Sequence, residues 1–254
     1  MRSHDISHIL RTWEYSPEEI SVRMIMGQDG RRKVQMRIDL GLMQMELHGR
    51  PDGKRPYGYE SLLEYYLDQL ETYRAQHGSE EGFVLTPEDC DLLRQEALQY
   101  YYRYLSLFHL GEFELVERDT TRNLKVFDLI WEYAEEEEDR WSLEQYRPYV
   151  IMMHTRARAE AAVAQQQYKK ALALLEEGME AIREFFRRHS RPDLIPESRE
   201  LQSLQQRADE IQAHRPLSRR ERLERLLEEA VEQEDYERAA RLRDELARLS
   251  GETG

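Results

Sequence analysis

Few side chains in this sequence stand at spacings that catalysis or metal binding requires. His4 and His8 are four residues apart, so a helix would place both imidazoles on one face, as metal ligands often are. The pair lacks the neighbouring glutamate of a zinc-protease helix, and we assign no metal to it. Cys90 is the single cysteine, and the carboxylates beside it would raise the pKa of its thiol. Because the sequence also lacks a nucleotide-binding glycine fingerprint and a G-x-S-x-G motif, we predict no catalytic residue, no metal, no cofactor and no enzymatic activity.

A loop dense in glycine and proline, residues 48–58, carries the cations with the best prospect of binding an anion. Arg50, Lys54 and Arg55 stand within it. Loops of this kind present backbone amides and guanidinium groups to anions. The alternative, which we favour, is a rigid connector between a strand and a helix. A small-anion-binding protein or an enzyme that uses this loop stays as an alternative function.

The C-terminal residues 217–250 carry the most regular pattern of the chain. Ser218 and Glu221 have the S-x-x-E form of a capping box, which satisfies backbone donors at a helix start. Apolar residues then recur at helical spacing, and Asp235 can cap a second short helix. We predict that the apolar stripe of this hairpin, with one arginine beside it, contacts a partner. The predicted contact residues are Leu223, Leu226, Leu227, Ala230, Tyr236, Ala239, Leu242, Arg243, Leu246 and Leu249.

This hairpin resembles a known family module, the UVR motif, also called the UvrB/UvrC motif. The pattern L-x-x-L-L-x-x-A-V begins at Leu223, and D-Y-E-x-A-A-x-L-R-D-E-L begins at Asp235. The resemblance covers well under a fifth of the chain. It implies a helical hairpin that pairs with another protein, often with another such hairpin. Because the motif occurs in excision-repair nuclease subunits, activators of protein-arginine kinases and Clp-type ATPases, it implies a docking element and leaves the process open.

Two stretches of alternating residues in the first 59 positions predict β-structure. Residues 20–26 and 34–42 place their apolar side chains at even positions, and Asp29-Gly30 between them is a hairpin turn signal. The alternation then moves to odd positions over residues 43–47. We attribute this slip to a bulge near Gly41 and predict a long antiparallel hairpin with a kinked second strand. Its apolar, methionine-rich face is predicted to be core.

Residues 60–189 are predicted to form a helical body. Two of its corners look alike: Leu107-x-x-Leu110-Gly111-Glu112-Phe113-x-x-Val116 and Ala162-x-x-x-Gln166-Gln167-Tyr168-x-x-Ala171. They resemble the corner of a tetratricopeptide (TPR) helix pair, although Gln166 stands where that family favours glycine. The resemblance implies stacked helix pairs with a concave protein-binding surface. Within the body, Tyr104 is expected in the core, and Tyr100 and Tyr102 are candidates for exposure on a groove.

The amino-acid composition of the chain narrows the classes of partner that the protein is expected to bind. Charged residues are 35% of the 254 residues, and the net charge is −14. This acidic excess disfavours sequence-independent nucleic-acid binding, which depends on Lys and Arg displacing counterions. Two basic groups, residues 31–37 and 215–225, keep nucleic acid possible. No apolar run is long enough for a membrane span, and a single cysteine fits a reducing cytoplasm.

We therefore predict a mainly α fold with a small N-terminal antiparallel β-hairpin, a TPR-like helical body and a C-terminal UVR-type helical hairpin. The expected divisions are 1–59, 60–189, a linker helix at 190–216, and 217–250. The predicted function is a non-enzymatic cytoplasmic adaptor or scaffold that docks a partner protein or itself through a coiled-coil-like contact of the hairpin, with no membrane involved. An alternative function is that of an accessory factor in DNA excision repair or in protein quality control.

Overall fold

The computed structural model describes residues 5–216 and 219–251, without the side chains of residues 221 and 249–251. Over these residues the fold is mainly α, as predicted, with one small antiparallel sheet near the N-terminus. The described chain forms two compact units that divide between Ala208 and Asp209. The strands are β1 (Val22–Met26), β2 (Arg32–Ile38) and β3 (Gly41–Glu46). The helices are α1 (Ser7–Thr12), α2 (Leu62–His77), α3 (Pro87–His109), α4 (Phe113–Tyr133), α5 (Glu137–Glu144), α6 (Arg147–Ala164), α7 (Tyr168–Arg188), α8 (Arg199–His214), α9 (Arg219–Glu232) and α10 (Tyr236–Gly251).

The sheet has three strands in the order β1-β2-β3, where the sequence had predicted two. The predicted bulge near Gly41 is wrong, because the chain reverses there through a two-residue turn at Asp39–Leu40. A five-residue loop pairs Met26 with Arg32, so even positions face even positions. The two-residue turn pairs Ile38 with Gly41, so even positions of β2 face odd positions of β3. A tight hairpin therefore requires the shift in alternation that the sequence shows.

The polar face of β2 is also buried. Arg37 donates from Nε to the carbonyl of Trp13 at 2.9 Å, and its Nη1 donates to carbonyls of the β2–β3 turn. Lys33 lies 2.9 Å from Asp29 and also pairs with Glu46. Internal acceptors thus engage two cations of the first basic group, which removes most of its capacity to attract a phosphate backbone.

The helical body begins with a well-capped pair of helices. Thr86 accepts a hydrogen bond from the backbone of Asp89, whose carboxylate accepts one from the backbone of Thr86. This capping box starts α3 at Pro87, a residue type favoured in the first turn of a helix. Helices α2, α3 and α4 then pack around an apolar core that includes Leu63, Leu93 and Ile130. Helix α6 packs beside α4, and α7 packs beside α6.

Helix α5 is an element that the sequence analysis missed. The acidic run 135–139 contains the first turn of this helix. Carboxylates in a first turn are stabilised by the helix dipole. One of them, Asp139, is buried and accepts a hydrogen bond from Arg94 at 2.5 Å.

Two helix–helix corners in the first unit share one backbone geometry. After α3, Gly111 is left-handed with a φ of 73°, and the next N–H donates to the carbonyl of Leu107 at 3.0 Å. After α6, Gln166 is left-handed with a φ of 60°, and the next N–H donates to the carbonyl of Ala162 at 2.8 Å. Both corners are Schellman endings, in which a left-handed residue lets the chain capture a helix carbonyl and reverse.

Candidate functional site

The C-terminal hairpin has the same corner as the helical body. Helices α9 and α10 pack against each other. Between them Glu234 is left-handed with a φ of 57°, and the next N–H donates to the carbonyl of Ala230 at 2.8 Å. Asp235 then caps α10 as predicted, because its Oδ1 accepts from the backbone N–H of Arg238 at 3.0 Å. The predicted capping box of Ser218 and Glu221 lies outside the described residues and side chains.

The predicted contact stripe of this hairpin divides into a buried part and an accessible part. Leu223, Ala230 and Ala239 are buried. Tyr236, at the corner, is 69% exposed. Arg243 and four leucines keep part or most of their surface accessible to solvent. The four leucines are Leu226, Leu227, Leu242 and Leu246. The side chain of Leu249 lies outside the part of the chain that the structure describes.

The arginines of the hairpin pair with its own carboxylates. Arg219 lies 2.9 Å from Glu245, which joins α9 to α10. Other arginines pair along one helix at i,i+4, as Arg225 does with Glu229 at 3.0 Å. Exposed pairs of this kind contribute little to stability. They do leave the second basic group largely neutralised, which makes it a weak surface for nucleic acid.

The three cations of the 48–58 loop have different surroundings. The side chain of Arg50 is 14% exposed, and its Nε lies 3.1 Å from Oε2 of Glu96. Arg55 is 63% exposed and lies 3.5 Å from Glu60. Lys54 is exposed. The loop therefore directs one arginine toward a buried carboxylate of α3 and leaves the other two cations at the surface.

The residues considered for chemistry in the body are buried. Cys90 is inaccessible, and burial raises the pKa of its thiol to about 12, so it is protonated at neutral pH. Tyr104 lies in the core as predicted. The expectation that Tyr100 is exposed is wrong, because the guanidinium groups of Arg103 and Arg122 lie 4.7 and 4.1 Å from the centre of its ring.

Sequence reasoning missed two clefts of the body, because each is assembled from distant segments. One, of about 550 Å³, is lined by Leu98, Tyr101, Tyr146 and Tyr149 and lies between α3, α4, α5 and α6. The other lies beside α4 and is lined largely by charged residues. The periodicity of a single helix does not predict which of its faces will meet across a fold.

Neither a metal-binding cluster nor a membrane-spanning helix occurs in the described part of the chain. Over residues 5–216 and 219–251, no group of His, Cys, Asp and Glu is placed to hold a metal ion. His4 of the considered histidine pair lies outside these residues. None of the described helices combines the length and the apolar character that crossing a bilayer requires.

Comparison with known proteins identifies the hairpin. A family model described as the UvrB/uvrC motif matches residues 218–252, which include both α9 and α10. The resemblance drawn from the residues is thus confirmed, and the C-terminal hairpin is a UVR motif. This motif is known in DNA-repair proteins and in protein-interaction roles. No curated protein and no solved structure matches the chain. The TPR-like character of the body stays a prediction.

Proposed function

We propose that this protein is a non-enzymatic adaptor that docks a partner protein, or a second copy of itself, through the UVR hairpin formed by α9 and α10. The observation that carries the proposal is the accessible leucine stripe on this hairpin. Leu226 and Leu227 of α9, with Leu242 and Leu246 of α10, keep part of their surface open to solvent. Burying such side chains against a partner contributes about 25 cal/mol for each Å² of apolar surface.

The charges around this stripe suit the selection of a partner. Arg243 lies 3.3 Å from Asp244, and both side chains are well exposed beside the leucines. Charges at the rim of an apolar contact contribute mainly to partner choice and association rate. The hairpin thus combines an apolar centre with a polar rim, which is the usual arrangement of a protein interface.

The helical body offers a second surface for a protein segment. The cleft lined by Leu98, Tyr101, Tyr146 and Tyr149 is largely apolar, and Leu98 and Tyr146 are exposed at it. Tyrosine is enriched at binding surfaces because it combines an apolar ring with a polar tip. An adaptor with two such surfaces would link the partner of the hairpin to a second protein.

Direct action at DNA is the weaker alternative. The net charge of −14 opposes it, and several arginines of the two basic groups, including Arg32, Arg37 and Arg225, are engaged with carboxylates or carbonyls. An accessory role in excision repair or protein quality control would therefore depend on contacts with another protein of that process.

The test is a double substitution in the stripe, Leu226→Asp with Leu246→Asp. Its matched control is Ala240→Asp with Ala247→Asp, which adds the same charges at exposed positions of α10. Full-length proteins would be compared by affinity capture from lysate with nuclease added, and by sedimentation for self-association. We expect the leucine variant alone to lose its partner or its dimer. If both variants associate like the unmodified protein while circular dichroism shows intact helices, the hairpin is not the docking element.

A further inference from the structure

The charged cleft beside α4 has an organised cationic wall. It has a volume of about 610 Å³, within the range of small-molecule sites. Arg118, Arg122 and Lys125 line it and follow one another at four and three positions along α4, so they share one face of the helix. The start of α2, from Ser61 to Leu67, and the loop residues His48 and Gly49 line it as well.

Beneath this wall, one buried carboxylate serves two guanidinium groups. Glu96 is fully buried, pairs with Arg122 and lies 3.1 Å from Arg50. Both of its oxygens also accept from the backbone N–H of Leu62, at 3.0 and 2.9 Å. Asp52 is 3.5 Å from Arg50 and partly offsets that cation. The single negative charge of Glu96 is therefore shared between Arg50 and Arg122.

A second carboxylate is shared in the same way. Asp119 binds Arg103 through both oxygens, at 2.7 and 2.8 Å, and its Oδ1 also lies 2.8 Å from Arg118. The Nη1 of Arg118 lies 3.1 Å from Nδ1 of His48, which serves as acceptor when that nitrogen is unprotonated. Each of these two buried carboxylates is thus shared by two arginines.

Arg122 has a donor without an acceptor. Its Nε is buried and meets no hydrogen-bond partner among the described residues. Burial, and after it the charge of Arg50, lower the pKa of the Arg122 guanidinium to about 9, and its pair with Glu96 supplies the counter-charge. A buried donor left unpaired destabilises a fold, and a bound acceptor would relieve that cost.

One cation of this wall, Lys125, lies at the surface. Lys125 is exposed and has no ion pair within the described structure. The lining also contains carboxylates. Glu60 lies 3.5 Å from Arg55, and Glu64, which accepts from the backbone N–H of Glu60 at 3.2 Å, also acts electrostatically on Arg122. Lys125 is therefore the cation of the wall most available to a ligand.

We propose that this cleft binds a small phosphate monoester, with the phosphate on Arg118, Arg122 and Lys125 and the organic part against Leu63 and Leu67. Guanidinium groups form paired hydrogen bonds with phosphate oxygens, and lysine adds a point charge. The two leucines line the cleft beside these cations and supply its apolar surface. Anion binding would thus depend on α4, with His48 and Gly49 of the 48–58 loop in the lining and the exposed loop cations Lys54 and Arg55 outside it.

The test is calorimetric titration of the full-length protein with phenyl phosphate. We expect one site per chain, with roughly tenfold weaker binding in Lys125→Glu, because a reversed charge then faces the anion. Lys169→Glu is the matched control, since it makes the same change at an exposed lysine of α7 that does not line the cleft. Arg118→Gln should also weaken binding, and equal unfolding midpoints would show that the variants remain folded.

Three results would overturn the proposal. The first is no binding at about 1 mM phenyl phosphate, the weak limit for a specific small ligand. The second is an equal loss of affinity in Lys125→Glu and Lys169→Glu, which would indicate diffuse attraction. The third is inorganic phosphate binding as tightly as phenyl phosphate, which would show that the organic part of the ligand contributes nothing to binding. Binding that persists in the Leu226→Asp, Leu246→Asp variant supports a site independent of the hairpin.

Discussion

Arg103 and Asp119 form a bidentate ion pair that is buried on both sides. Nε and Nη2 of the arginine donate to the two carboxylate oxygens at 2.7 and 2.8 Å. The remaining Nη1 donates to the carbonyls of Glu46 and Gly49, at 2.9 and 2.7 Å. One guanidinium therefore ties α3 to α4 and both helices to the end of the sheet.

This pair predicts a large difference between two aspartates of α4. Asp119→Asn should lower the free energy of unfolding by about 3–5 kcal/mol, because it leaves a buried guanidinium without its counter-charge. Asp128→Asn is the control, since Asp128 pairs with Arg147 at 2.9 Å but is mostly exposed, and it should cost less than about 1 kcal/mol. Urea denaturation of the two variants measures the difference. Similar losses would mean that Arg103 finds another partner or reaches water.

The Schellman corners predict effects of opposite sign. Gly111→Ala should lower the free energy of unfolding by about 1 kcal/mol, because a left-handed backbone disfavours a residue with a β-carbon. Gln166→Gly should raise it by a few tenths of a kcal/mol or more, since Gln166 already bears that strain. Thermal and urea unfolding measure both. Destabilisation by Gln166→Gly would show that the glutamine side chain contributes more than its backbone costs.

Burial of Cys90 predicts a protected thiol. At pH 8 its raised pKa of about 12 leaves a thiolate fraction roughly three orders of magnitude below that of an ordinary cysteine. We expect iodoacetamide to leave the native protein unmodified and to alkylate Cys90 once denaturant unfolds it. A variant with Cys90→Ala and Leu98→Cys is the control, because Leu98 is exposed. Equal alkylation rates in the two native proteins would contradict the buried assignment.

Buried tyrosines predict a loss of stability at alkaline pH. Burial raises the pKa of Tyr104 above its ordinary value of about 10. Above that pH the unfolded chain releases a proton that the folded protein retains, so the free energy of unfolding falls by about 1.4 kcal/mol per pH unit for this tyrosine. Below about pH 10 the contribution of Tyr104 to the free energy of unfolding is fully present. Unfolding measured from pH 8 to 11 should show a shallower fall in Tyr104→Phe and an unchanged fall in Tyr236→Phe, whose ring is exposed.

Strong local signals predicted much of the fold. Helix α7 spans 168–188, and its apolar residues keep one helical face throughout, a pattern that the sequence itself shows. Thr86 followed by Pro87 at the start of α3 is likewise a local signal that the sequence contains. The slip in strand alternation was visible, but its parity fits a bulge as well as a tight turn, and only the pairing of Ile38 with Gly41 distinguishes them.

The charged cleft was beyond prediction, because its parts depend on tertiary contacts. Arg50 drew attention as a loop cation, yet its role follows from Glu96, which is 46 positions away in the sequence. Arg122 and Tyr100 carry no motif, and their stacking exists only because α3 and α4 pack as antiparallel neighbours. The UVR hairpin was recognised because its pattern is contiguous.

The shared corner has a consequence for how this protein can be rebuilt. Each reversal is completed within six consecutive residues, from the accepting carbonyl of Leu107, Ala162 or Ala230 to the donating amide. Both the donor and the acceptor of the closing hydrogen bond lie within such a segment, so the reversal does not require a contact with a distant part of the chain. Splicing a new helix pair in through the Gln166 corner would lengthen the body and leave the sequence of the UVR hairpin unchanged.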